Sequence, residues 1–218
     1  MNEKKVSRRE FLKIAGIGLA ATAFACSGLG YVATRQPQMD LPEMNLGKEN
    51  AVNKILVAYS TRAGSTAEIA AAIGQTLAQR GFSVDVLPVK KQPNPSDYDA
   101  VILGSPIRMG SWLPEVIGFV KENRALLEQI PVAAFTVHML NGGDDEQSRA
   151  NRQAYLNAVR EWITPDEEVF FLGKMELARL SFLDRFISNA MKAKDEDLRD
   201  WNAVHAFAES VFARVETQ

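Results

Sequence analysis

Cysteine is almost absent: the 218-residue chain holds one, Cys26. A disulfide within the chain is therefore impossible, and so is a metal or iron–sulfur centre built from several thiolates. Histidine is nearly as scarce. His138 and His205 are the only two, which excludes reaction schemes that need a cluster of imidazoles. There is no surplus of positive charge either: 25 Lys and Arg stand against 27 Asp and Glu, for a net charge of -2. A phosphate backbone needs a basic stripe, so nucleic acid is not an expected partner. Two phosphate fingerprints are also missing. No Gly-x-Gly-x-x-Gly marks a dinucleotide site, and no Gly-Lys-Ser/Thr marks a nucleoside-triphosphate loop. What is present, 46% hydrophobic and 24% charged residues, suits one globular domain of ordinary size plus a short extra segment.

That extra segment is N-terminal. Lys4, Lys5, Arg8, Arg9 and Lys13 precede Ile14–Thr34, a run of 21 residues without a charge. A basic start, an apolar middle and a small-residue exit at Ala23-Phe24-Ala25 describe an export segment. Ser7-Arg8-Arg9-Glu10-Phe11-Leu12-Lys13 resembles the twin-arginine signal in particular. Three fates remain open: cleavage after Ala25, a lipid on Cys26, or retention, since the run is just long enough to span a bilayer. Cys26 also reads as a plain apolar residue of such a helix. Residues 1–34 are thus expected to be a signal or membrane anchor, with the protein outside the cytoplasm. Residues 35–51, with Pro37, Pro42, Asn45, Gly47 and Asn50, read as a linker, and 52–218 as the folded domain.

The domain alternates strands and helices. Lys54–Tyr59 is a continuous apolar run, as a central parallel strand requires. A helix over Thr66–Arg80 carries Ile69, Ala70, Ile73 and Leu77 on one face and stops at Gly81. Strands follow at Phe82–Val89, Ala100–Leu103, Val132–Val137 and Val169–Leu172. Helices are expected at Leu113–Leu127, Asn151–Ile163 and Leu198–Val215. Five apolar strands separated by helices predict an α/β fold with a doubly wound, five-stranded parallel sheet. Ligands of such sheets bind beyond the carboxyl ends of the strands, where the strand order reverses. The loops after Tyr59, Leu103 and Val137 are therefore the ones to examine.

The first of these, Ser60-Thr61-Arg62-Ala63-Gly64-Ser65-Thr66, opens directly into a helix. Four hydroxyls, a glycine and the free N–H groups of a helix start make an anion site suited to a monophosphate. Capping by Ser65 or Thr66 would explain one hydroxyl but not four. The second loop is Gly104-Ser105-Pro106-Ile107-Arg108-Met109-Gly110-Ser111-Trp112, and the third is Thr136-Val137-His138-Met139-Leu140-Asn141-Gly142-Gly143.

Together these segments resemble the flavodoxin-like FMN proteins. The group containing menaquinone-dependent protoporphyrinogen oxidase resembles this chain in three places: Ser-Thr-Arg-Ala-Gly, Gly-Ser-Pro-Ile-Arg-Met-Gly, and the late Phe182-Leu183-Asp184-Arg185-Phe186 with Arg199-Asp200-Trp201. The resemblance covers residues 54–215 and implies FMN as cofactor. It implies that Ser60, Thr61, Arg62, Ala63, Gly64, Ser65 and Thr66 hold the phosphate. It implies that Ser105, Pro106, Ile107, Arg108, Met109 and Gly110 follow the flavin edge, and that Thr136, Val137 and His138 sit where the second flavin loop belongs. Trp112 would stack on a ring face or pack in the core. Arg62 and Arg108 would pair with phosphate, attract an anionic substrate or quinone, or lie solvated. His138 touches the flavin or is structural, and His205 reads as structural. No metal site is expected, and no residue is singled out as catalytic, because a flavin carries its own redox chemistry.

Glu176–Lys194 is an addition between the fifth strand and the last helix. Its apolar residues mixed with Arg179, Arg185, Lys192 and Lys194 suit a membrane surface, the sheet, or a second copy of the chain in a homodimer. The expected function is an exported FMN-dependent oxidoreductase that passes electrons to or from a quinone or a membrane redox partner. A flavodoxin-type carrier without its own substrate, menaquinone-dependent protoporphyrinogen oxidation, and a binding module that has lost its flavin are the alternatives.

Overall fold

The computed structural model describes residues 41–47, 53–190 and 194–213. The export segment 1–34, Cys26 and the first part of the linker lie outside the described residues. Three described residues of the linker, Met44–Leu46, form a short strand, β1. The fold then proceeds through β2 (Lys54–Tyr59), α1 (Ser65–Gln79), β3 (Ser83–Pro88), β4 (Ala100–Arg108), β5 (Ser111–Trp112), α2 (Pro114–Glu122) and α3 (Arg124–Leu127). It continues with β6 (Val132–His138), α4 (Glu146–Ala154), α5 (Asn157–Arg160), β7 (Glu167–Leu172), β8 (Lys174–Met175), α6 (Phe182–Ala190), β9 (Glu196–Asp197) and α7 (Trp201–Ser210).

The sheet order is β1-β3-β2-β4-β6-β7, and all contacts among β3, β2, β4, β6 and β7 are parallel. This is the five-stranded doubly wound sheet that the apolar runs predict. Residues 55–59 of β2 are wholly buried because helices cover both faces. Alternate strand residues feed two layers. Ile55, Val57 and Tyr59 pack with Ile69, Ile73 and Leu77 of α1 and with Val204 and Ala208 of α7. Leu56 and Ala58 face Val116 and Val120 of α2 and Val159 of α5. Each such aliphatic side chain contributes about 1.5–3 kcal/mol when fully buried. Close packing also needs Gly104, where an added Cβ would lie 2.1 Å from the Phe135 ring.

Several boundaries differ from the sequence reading. β1 pairs antiparallel with β3 and covers that edge of the sheet, so part of the expected linker belongs to the domain. Three residues are too few to show a period, and Asn45 is a poor strand former. Its side chain instead donates to Asp85 Oδ1 at 2.7 Å, while Tyr98 and Lys54 occupy Oδ2 at 2.8 and 2.9 Å. The helices expected at 113–127 and 151–163 are each broken in two, at Asn123 and at Tyr155–Leu156. The last helix, expected over Leu198–Val215, spans Trp201–Ser210, and Trp201 at its start is exposed.

The helix α6 falls in a unit separate from the sheet domain. Ser181 caps it, accepting the Asp184 N–H at 3.1 Å and donating to Asp184 Oδ2 at 2.8 Å. Among the described residues no helix is long and apolar enough to cross a membrane, and no cluster of His, Cys, Asp or Glu is arranged to hold a metal.

Candidate flavin site at the carboxyl edge of the sheet

The strand order reverses between β2 and β4, and there Ser60 N donates to Gly104 O at 3.0 Å. Loops beyond this point cannot be covered by a crossover helix, so they leave a crevice. The loop from Ser60 turns into α1 at Gly64, whose φ of +92° is a left-handed conformation that glycine adopts without strain. Gly64 is the N-cap and no side chain caps the helix. Ser65 and Thr66 are therefore first-turn residues, and first-turn N–H groups have no acceptor within a helix. Thr61 Oγ1 accepts the Gly64 N–H at 3.0 Å and so fixes the turn. Ser65 Oγ accepts the Lys174 N–H at 2.9 Å, which ties the loop to β8. Ala63 is half-buried beside them.

Thr66 Oγ1 has no hydrogen-bond partner although the residue is only 1% exposed. An unpaired buried hydroxyl costs about 1–3 kcal/mol. Here it stands in the first turn of an uncapped helix, beside the positive end of the helix dipole. That is the donor set a phosphate monoester accepts from, so these residues fit the phosphate of FMN.

Arg62 is not a free cation. Its guanidinium forks onto Glu115 in the first turn of α2, with Nη2 to Oε2 at 2.9 Å and a second short bond from Nη1 to Oε1. Ser60 Oγ donates to the same Oε1 at 2.7 Å. Burial pushes the Glu115 carboxyl up, but the donors Arg62 and Ser60 outweigh it and hold it below the usual range. Sequence reasoning missed Glu115, since a lone glutamate after a proline reads as an ordinary helix start.

The second expected loop is a hairpin. β4 runs on through Ser105, Pro106, Ile107 and Arg108, and Met109–Gly110 turn it back into β5. Both turn residues have positive φ, +54° and +79°, as a tight two-residue hairpin turn requires. Ser105 Oγ accepts the Leu113 N–H at 3.0 Å and closes the hairpin base. Trp112 is fully buried and donates from Nε1 to Thr136 Oγ1 at 2.8 Å. Of its two readings, packing in the core describes the structure: Trp112 is buried among Leu103, Leu113 and Val116 and bonded to Thr136. Met109, by contrast, is 84% exposed at the hairpin tip.

The third loop follows Val137 and His138, both buried at the end of β6. His138 Nδ1 meets Leu140 O at 2.7 Å and its ring lies 6.0 Å from that of Tyr155. Burial disfavours the imidazolium and lowers its pKa. Asn141 Nδ2 donates to Tyr155 OH at 2.6 Å, and Arg152 donates to Gly143 O at 2.6 Å and to Asn141 O. Leu140 projects from this braced loop with 62% exposure. Gly173 sits between the third loop and the first: a Cβ there would lie 2.7 Å from Val137, 3.3 Å from Ser65 Oγ and 3.5 Å from Met139 Sδ.

Behind the phosphate loop, Glu68 of α1 pairs with Arg199 and with Arg179 at 3.3 Å. The Arg199 side chain is 7% exposed and also grips Asp197, from Nε at 2.8 Å and Nη2 at 2.6 Å. Arg199 holds the Asp197 carboxyl down at about 2. This network joins the first turn of α1 to β9.

The chain is similar in sequence to known proteins. The chain is 28% identical over 170 residues to protoporphyrinogen IX dehydrogenase (quinone) of Escherichia coli strain K12, which covers 72% of this chain and 94% of that protein. It is 29% identical over 170 residues to the protein of that name from Leishmania major, covering 71% of this chain and 73% of that one. Among solved structures, a flavoprotein in complex with FMN from Lactobacillus acidophilus NCFM is 15% identical, with a TM-score of 0.41 over 55% of this chain and 93% of that one. The flavodoxin domain model matches residues 56–201, and with this match the chain belongs to the flavodoxin domain family.

Proposed function

We propose that this chain is an FMN-dependent flavoprotein oxidoreductase, exported and held at the membrane by its N-terminal segment, that exchanges electrons with a quinone or a membrane-bound redox partner. The observation that carries the reading is the unpartnered, buried Thr66 hydroxyl in an uncapped helix start at the strand-order reversal. FMN, when bound, supplies reversible one- and two-electron transfer. The residues of this chain bind, orient and shield it. Thr66 and the first-turn N–H groups donate to the phosphate, and Thr61 and Gly64 shape the turn. The hairpin Arg108–Ser111 and the loop 139–143 wall the crevice, with Met109 and Leu140 excluding water at its mouth. The Arg62–Glu115 pair keeps a neutral wall beside the phosphate, so the site takes one dianion without adding a loose positive charge. No side chain is asked to act as nucleophile or base.

The test is anaerobic. The full chain in detergent is loaded with FMN, reduced, and mixed with a soluble menaquinone analogue. Reoxidation by the quinone supports the reading; a reduced flavin that persists with quinone present removes the quinone from it. A second reading, protoporphyrinogen oxidation, is favoured by the 28% identity spanning 94% of the bacterial dehydrogenase. Porphyrin fluorescence appearing when protoporphyrinogen and menaquinone analogue are supplied together, above the uncatalysed rate, would select it.

A further inference from the structure

The direction of β1 fixes where the N-terminal segment leaves the domain. β1 is antiparallel to β3, with Met44 opposite Val86 and Leu46 opposite Val84. Followed backwards, the chain therefore runs toward the carboxyl ends of the parallel strands. Two contacts confirm this: Tyr59 OH, at the carboxyl end of β2, donates to Pro42 O at 2.7 Å, and Lys91, just beyond β3, pairs with Glu43 at 3.1 Å. Ser60, the first residue of the phosphate loop, is the next residue after Tyr59. The exit thus lies on the edge that carries the crevice, and on that edge Met109 and Leu140 project their apolar side chains.

We infer that the lipid surface is the partner of this edge: the short connection holds the domain with its crevice, Met109 and Leu140 toward the membrane. The inference rests on reading Ile14–Thr34 as an anchor and the crevice as the flavin site. Seven residues, 35–41, separate the end of the uncharged run from Pro42, which Tyr59 holds. Fully extended they reach about 25 Å, and as flexible coil about 15 Å. A domain of about 160 residues has a radius of gyration near 15 Å and is about 40 Å across. A connection of this reach cannot pass around the domain to put the opposite edge on the bilayer. An electron partner dissolved in the lipid then meets the crevice directly, without the domain turning over.

The experiment uses the full chain in vesicles of phosphatidylcholine and phosphatidylglycerol that contain headgroup nitroxide lipids. A fluorescent amino acid is incorporated at position 109, 140 or 129, which leaves Cys26 intact. Gln129 is exposed and precedes β6, at the amino edge of the sheet. The inference expects loss of most emission at 109 and 140 and retention at 129. A Gly/Ser insertion of about 20 residues between Gln38 and Met39 lengthens the reach and should restore emission at 109. Equal or greater loss at 129 overturns the orientation while leaving the anchor standing. Failure of the chain to float with the vesicles overturns the anchor and the orientation with it. FMN titration of the same samples reports the site independently, so its failure is told apart from either.

Discussion

The unpaired hydroxyl of Thr66 gives opposite expectations with and without ligand. Thr66→Val keeps the shape and the β-branch and replaces the hydroxyl by a methyl group. In the ligand-free protein the hydroxyl is 1% exposed and bonded to nothing, so its burial costs about 1–3 kcal/mol. Removing it should raise stability. In a domain of this size about 1 kcal/mol moves Tm by roughly 2–4 °C, so the ligand-free variant should melt several degrees higher. With FMN the sign reverses. A hydrogen bond to a charged group contributes about 1.5–3 kcal/mol, and its loss should weaken FMN binding by roughly 10- to 150-fold. Riboflavin, which has no phosphate, should bind wild type and variant alike. Thermal melting and fluorescence titration of both ligands check this. A lower Tm with unchanged FMN affinity would show that the hydroxyl serves the fold and not a phosphate.

Three further expectations follow from the same geometry. His138 is kept neutral by burial, so its folded pKa lies below the ordinary value of about 6.5. Below about pH 6.5 the unfolded chain takes up a proton that the folded chain refuses, and stability falls as pH drops; Tm measured from neutral to mildly acidic pH should show this slope in wild type and a shallower one in His138→Gln. Gly104→Ala would place a Cβ 2.1 Å from the Phe135 ring and should cost about 1–3 kcal/mol, read as a loss of Tm that Phe135→Leu partly restores. Arg199→Lys keeps the charge but cannot grip Asp197 and Glu68 at once. It should weaken FMN several-fold without affecting riboflavin, because the first turn of α1 loses its brace.

The fold was legible because its strands are buried on both faces. Runs such as Ile55–Tyr59 and Val132–Val137 are apolar without alternation, the pattern of strands in a parallel sheet covered by helices, and helical segments separate them. The loop Ser60–Thr66 was legible as a candidate anion site because hydroxyls and a glycine at a helix start have a specific anion-binding meaning. The walls of the crevice were less so. Ser105–Arg108 continues as strand and turns at Met109, a residue that seldom takes positive φ, so the hairpin carries no turn signature in sequence. Trp112 reads equally as a stacking ring or a core ring, and its bond to Thr136 comes from a strand 24 residues away. Glu115 and Glu68 matter through partners 53 and 131 residues distant, and no local pattern reports such pairs. β1 escaped for a similar reason: its middle residue, Asn45, is held by Asp85, 40 residues on.

The measurement that tests the central claim most directly is equilibrium binding of FMN and riboflavin to the full chain, followed by flavin absorbance and fluorescence. The account predicts saturable FMN binding at micromolar concentrations or tighter, with riboflavin bound markedly more weakly because the cradle at Thr61–Thr66 holds the phosphate. Absence of FMN binding, or equal affinity for the two flavins, would contradict it.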